Sequence, residues 1–181
     1  MPQGLKQKLD YSDLAHTPDD GRRYELLDGA LVVSPSARPL HQRVSKRLQR
    51  QLEAHFEDGG LGEVFNAPVD VILDVHDVVV PDLVIVTSPG QVSDRAIEGA
   101  PALLVEVLWP STRTRDRHLK AERYAALGVP HYWIVDPVRK TLECYRLEQG
   151  TYVSVVTAES RTRVTHPDWP GLTLDLAAIW R

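Results

Sequence analysis

Apolar residues recur every four positions at Leu40, Val44, Leu48, Leu52 and Phe56, and that stripe predicts one amphipathic helix, ended by Asp58-Gly59-Gly60. Elsewhere in the first half the period is two. "RRYELLDGALVVS" predicts two short strands turning at Asp28-Gly29, a dipeptide suited to a tight hairpin. "GEVFNAPVDVIL" predicts a strand with Glu63, Phe65, Ala67, Val69, Val71 and Leu73 on one side and Asn66, Pro68 and Asp70 on the other. "VVVPDLVIVT" and "PALLVEVL" are apolar on both sides apart from one acid each, the pattern of strands covered on both faces. A second helix is predicted over "TRTRDRHLKAERYAAL", with Gly128 as its stop. "VPHYWIVD" follows as a strand, and "TLECYRLEQGTYVSVVT" as a hairpin turning near Gln149-Gly150. "PGLTLDLAAIW" adds a short strand and a helical turn, and residues 1–20 form a polar arm with a short helix near Tyr11 to Leu14.

This order predicts an α/β fold: one central mixed sheet with a helix on each side, an N-terminal strand pair and a C-terminal hairpin. No repeat or low-complexity stretch divides the chain, so residues 1–181 are expected to form one domain with its core over about 22–157.

Composition narrows the partners. The 181 residues carry a formal charge of −4, which argues against a wholesale basic coat for nucleic acid but leaves room for local patches. The single cysteine, Cys144, excludes an intrachain disulfide and a cysteine-built zinc site. No run is long and apolar enough to cross a membrane or to serve as a signal core, so a cytoplasmic protein is the expectation.

Asp82 and Glu106 are the anomalies of the pattern. Each sits inside a run of valine, leucine and isoleucine, where an unpaired carboxylate costs several kcal/mol or more. If the two runs pair, the carboxylates converge, and at roughly 5 Å with an effective dielectric of about 20 they repel by about 3 kcal/mol. A hard divalent cation such as Mg²⁺, with Mn²⁺ as a substitute, answers both costs. The alternative is that each acid pairs with an arginine or lysine at the sheet end.

Glu25 and Asp70 are candidate supporting carboxylates on neighbouring strands, each with an exposed strand position as its plainer reading. Lys120 falls on the buried stripe of the second helix with Tyr124, one turn after Asp116; it either snorkels to the edge or stands beside the acids. Both helices are locally basic: Arg38, Arg43, Lys46, Arg47 and Arg50 on the first, and five more between Arg113 and Arg123, including Arg115, on the second. Such runs are commonly solvated faces, yet an anionic centre with a basic rim suits a metal-dependent enzyme acting on nucleic-acid phosphates. His41, at the start of the first helix, fits a structural histidine or a phosphate contact.

"RRYELLDG", "SPSARPLHQRV", "APVDVILDVHDVVVPDLVIV" and "IEGAPALLVEVLWPSTRTRDRHLKAERYAALGVPHYWIVDP" together resemble the Uma-type family of restriction endonucleases, in the PD-(D/E)XK nuclease-like superfamily. The resemblance runs from about Tyr24 to Pro137. It implies a restriction-endonuclease-like core in which Pro81-Asp82 is the "PD" and Glu106 the second acid, with the Val107 carbonyl and Glu25 beside them as metal ligands. The lysine expected two positions after Glu106 is Leu108 here, and the resemblance assigns its place to Lys120. Trp109 stands where a small residue is usual, and His131 where an acid commonly precedes "YW".

The expected function is therefore a Mg²⁺-dependent endonuclease acting on DNA through Asp82, Glu106, Glu25 and Lys120. His41, Asp70, Asp116, Arg43, Arg115 and Tyr124 support that set. A lone centre cutting both strands favours a homodimer. The other readings are an inactive nucleic-acid or protein binding module, and a hydrolase for another phosphoester.

Overall fold

The computed structural model describes residues 7–109, 115–160 and 162–181, with the backbone alone for 115–117. After a single helical turn, α1 (Tyr11–Leu14), comes the hairpin of β1 (Arg23–Leu27) and β2 (Ala30–Ser34). Asp28 and Gly29 make its turn with φ of 53° and 74°, the paired positive values that a two-residue hairpin turn requires. α2 (Pro39–Phe56) opens on a proline, tolerated there because the first helical N–H has no partner in any case. β3 (Glu63–Asn66), β4 (Val71–Asp74), β5 (Asp77–Val79), β6 (Leu83–Val86), β7 (Ile97–Glu98) and β8 (Leu103–Val107) follow. A π-helical turn, Arg115–Lys120, runs into α3 (Ala121–Ala126). The chain ends with β9 (His131–Asp136), β10 (Thr141–Glu148), β11 (Thr151–Glu159), β12 (Arg163–Thr165), β13 (Thr173–Asp175) and α4 (Leu176–Ile179).

Instead of one sheet there are two large ones. A six-stranded sheet runs β11-β10-β9-β8-β6-β3, a five-stranded sheet runs β2-β1-β5-β4-β7, and β12-β13 form a small ribbon. The pairs β8–β9 and β4–β7 are parallel and the others antiparallel, so both large sheets are mixed. Pro68 and Pro81 mark the division. Each lacks the N–H that a ladder needs, so the two long apolar runs break there, and their halves enter different sheets.

Asp82 therefore does not lie in mid-strand. It occupies the corner Val80-Pro81-Asp82 between the sheets, whose donors are used locally: Val80 N–H goes to Glu25 Oε1 and Asp82 N–H to the Val105 carbonyl.

Alternation across the six-stranded sheet separates two cores. Leu83, Ile85, Leu103, Val105, Val107, Trp133 and Val135 meet the α2 stripe of Val44, Leu48, Leu52 and Phe56, closed by Leu172, Leu174, Leu176 and Ile179 from the tail. Val84, Val86, Leu104, Tyr132 and Ile134 point the other way, onto Leu27, Val71, Val79 and Ile97 of the five-stranded sheet and Tyr124 of α3. The second face is thus covered by a sheet together with a helix. At the head of α2 the stripe shifts: Leu40 is exposed, and His41, three residues before Val44, is buried in its place.

Candidate active site

β1, the Pro81 corner, β8, the head of α2 and the end of the π-helical turn meet where the two large sheets diverge. Period two on β1 sends Arg23 and Glu25 to the same side, and period two on β8 sends Glu106 to the same face as Leu104. The turn that follows β8 returns Lys120 over that face. The result is a cleft lined by Arg23, Glu25, His41, Asp82, Glu106 and Lys120, with Ser34–Arg38, Val107 and Trp109 at its sides. Glu25, Asp82, Glu106 and Lys120 are 1%, 3%, 3% and 2% exposed. The space open to water is about 40 Å³, room for a few waters or one partly hydrated cation and not for a sugar or a base.

Asp82 is engaged at both oxygens. Oδ1 accepts from Arg23 Nη1 at 2.7 Å; Oδ2 accepts the Val107 N–H at 2.7 Å and lies 2.9 Å from His41 Nε2. Burial pushes this carboxyl up, but the His41 hydrogen bond and charge, Arg23 and the Val107 amide outweigh it and hold Asp82 below the usual carboxylate value. Lys120 Nζ bridges the other two acids, at 2.8 Å from Glu25 Oε1 and 2.7 Å from Glu106 Oε1. Tyr124, one turn on, donates its hydroxyl to Glu106 Oε1 at 3.1 Å. The pairing of acids with basic residues expected as the alternative is therefore present, yet all the partners sit in one cleft with the three acids.

Among the described residues, three carboxylates face the two fixed cations Arg23 and Lys120, with His41 beside Asp82. His41 Nδ1 is buried without a hydrogen-bond partner among the described residues. This donor set, three carboxylates in one cleft, fits a hard divalent cation held by Asp82, Glu106 and Glu25. It does so on one condition. A divalent ion on Asp82 Oδ1 with the guanidinium still about 4 Å away would be repelled by about 8 kcal/mol at an effective dielectric of about 20. Arg23 has to withdraw first.

A groove of about 400 Å³ continues from the cleft along α2, lined by Arg23, His41, Gln42, Lys46, Arg50 and Asn66 among others. At the opposite lip the Arg38 guanidinium lies over the Trp109 ring, 4.9 Å from its centroid. Arg23 is a residue that sequence reasoning missed, and Arg38 was read there only as part of the basic run. Arg23 was findable from its i, i+2 relation to Glu25.

Two expected residues are not in the cleft. Asp70 accepts the Tyr11 hydroxyl at 2.9 Å and lies outside the cleft lining, because the chain after Pro68 turns towards the five-stranded sheet and Asp70 immediately precedes β4. Arg43 is exposed on α2 and is not among the groove residues. The side chains of Arg115 and Asp116 lie outside the described residues.

A second, partly buried polar cluster lies at the start of β9. Among the described residues His131 Nδ1, His166 Nε2 and Asp168 Oδ2 have no hydrogen-bond partner, and they lie within 4.8 Å of one another, against Trp133 and Trp169. His166 Nδ1 accepts the Asp168 N–H at 3.2 Å, so the neutral ring carries its proton on Nε2 and presents a donor there. Arg146 already neutralises Asp168 at 2.6 Å. With a donor on His166 Nε2 and Arg146 already on Asp168, the cluster suits a bridging water rather than a cation.

Residues 10–177 match the family Uma2, described as "Putative restriction endonuclease". "Uncharacterized protein slr1290" of Synechocystis sp. is 30% identical over 104 residues, which is 57% of this chain and 54% of that protein, so the match spans about half of that relative's length. Among solved structures, a "putative nuclease belonging to DUF820" from Anabaena variabilis superposes with a TM-score of 0.76 over 95% of this chain and 97% of its own, at 16% identity. That likeness gives the chain a nuclease-type fold. Among the described residues, no helix is long and apolar enough to cross a membrane.

Proposed function

The chain belongs to the Uma2 family of restriction-endonuclease-like proteins, and on that premise we propose that it hydrolyses phosphodiester bonds in DNA with Mg²⁺ or Mn²⁺. The observation that carries the reading is the convergence of Asp82, Glu106, Glu25 and Lys120 in one buried cleft that opens onto a groove with basic residues.

Asp82 and Glu106, with Glu25 at the edge, would hold the cation, which when bound polarises a phosphate oxygen and makes its water more acidic. Lys120, already fixed by two carboxylates, is within the cleft to hold the attacking water and to offset charge gathering on the phosphoryl oxygens. Tyr124 keeps Glu106 oriented. Arg23, Lys46 and Arg50 bind backbone phosphates without reading bases, so affinity falls as salt rises. Action on both strands favours two copies of the chain.

The saturation of Asp82 by Arg23, His41 and the Val107 amide favours one second reading, a DNA-binding module on this fold without turnover. Plasmid nicking separates the two. Wild type should nick supercoiled DNA with Mg²⁺ or Mn²⁺, whereas Asp82→Asn and Glu106→Gln, both folded, should lose roughly 100-fold or more in rate. Equal rates in all three would reject the assignment, and DNA binding without nicking in wild type would support the second reading.

A further inference from the structure

Arg23 stands in both halves of the proposed site. Its Nη1 donates to Asp82 Oδ1 at 2.7 Å, where a cation on that carboxylate would have to sit, and only weakly to the Val80 carbonyl at 3.4 Å. The same side chain lines the groove beside Lys46 and Arg50. It is 19% exposed, whereas its partner carboxylate is 2% exposed, so the guanidinium lies at the junction of cleft and groove with solvent on one side. Lys120 differs on each count: 3% exposed, bridging two carboxylates and absent from the groove lining. Of the two cations that neutralise the acids, Arg23 is the one a groove-bound molecule can reach.

We propose that Arg23 is a removable stand-in for the metal, released from Asp82 when a DNA phosphate in the groove takes its guanidinium. This rests on the metal reading of the cleft. A guanidinium binds a phosphate as well as it binds a carboxylate, through the same fork of N–H groups, so the exchange loses no hydrogen bonds. Asp82 Oδ1 is then free to take a cation, while His41 and the Val107 amide still hold Oδ2. Metal and DNA consequently bind with positive cooperativity, and by reciprocity each raises the other's affinity by the same factor, within about 5- to 150-fold. With Arg23 on Asp82, the free protein loads its metal poorly until DNA is present.

Mn²⁺ binding followed by electron paramagnetic resonance tests this without any turnover. Wild type, Arg23→Met and Lys46→Met are each titrated alone and with a short phosphorothioate-protected DNA duplex, after subtraction of the Mn²⁺ held by the duplex itself. Arg23→Gln is run alongside as a second neutral replacement, and thermal melts select the folded variants. Wild type should bind Mn²⁺ about 10-fold or more tightly with DNA. Arg23→Met should bind Mn²⁺ more tightly than wild type without DNA and gain less than about 2-fold from it. Lys46→Met, which removes a groove charge that does not touch the acids, should weaken DNA binding and keep the Mn²⁺ gain. Wild-type cooperativity in the Arg23 variants, or weaker Mn²⁺ binding by them, overturns the stand-in role alone. No Mn²⁺ binding by wild type, with or without DNA, overturns the metal reading and this inference together.

Discussion

Glu25 and Glu106 come from different sheets and share one ammonium: Lys120 Nζ lies 2.8 Å from the first and 2.7 Å from the second. Removing that ammonium leaves two carboxylates buried side by side. Lys120→Met should therefore cost about 3–5 kcal/mol of stability, and adding Glu25→Gln should return part of it. Urea unfolding of wild type, the single variants and the double variant gives the coupling. A Lys120→Met chain as stable as wild type would mean that the ammonium is not what holds the acids together.

The groove makes a graded prediction. If Lys46 and Arg50 each meet a DNA phosphate, replacing either with methionine should weaken binding to all sequences alike and lower the slope of log affinity against log salt by about 1. Arg43→Met, on the exposed side of α2, should leave the slope unchanged. Equal effects at all three positions would argue for a diffuse field and against a groove.

The His131–His166–Asp168 cluster sets a pH dependence of stability. Burial, then the neighbouring His131, pushes the His166 ring down to about 4, with Asp168 opposing and Arg146 adding to the fall. An unfolded histidine titrates near 6.5, so between about 6.5 and 4 the unfolded chain binds more protons than the folded one, and stability falls as pH falls through that window. The full contribution is present above it and amounts to about 3 kcal/mol at most. Urea unfolding between those limits should show the fall in wild type and a flatter profile in His166→Phe. Parallel profiles would mean that His166 takes up no proton on unfolding.

The elements that chain-local patterns can encode were legible. The α2 stripe from Val44 to Phe56, the hairpin turns at Asp28-Gly29 and Gln149-Gly150, and the strand around Glu106 lie in the structure as the periods predict. Lys120 and Tyr124 were legible as a buried pair on one helical stripe, and the structure brings both to Glu106. What period two cannot register is a backbone donor that is missing. The Pro68 and Pro81 runs keep their alternation while the chain changes sheets, so the second sheet was hidden, and with it the displacement of Asp70. Arg23 was hidden for another reason: a charged residue at a strand end reads as solvated until non-local pairing of β1 with β5 sets it against Asp82. The cluster of His131 with His166 and Asp168 likewise joins segments far apart in the chain.

The central claim is that this cleft exists to seat a divalent cation on the oxygens of Asp82 and Glu106. Anomalous scattering from crystals grown with Mn²⁺ and a protected DNA duplex locates that ion directly. The account expects a peak at coordinating distance, about 2.0–2.3 Å, from an oxygen of each carboxylate, with the Arg23 guanidinium turned to a phosphate. Saturating Mn²⁺ that leaves the cleft without a peak and Arg23 still on Asp82 would contradict it.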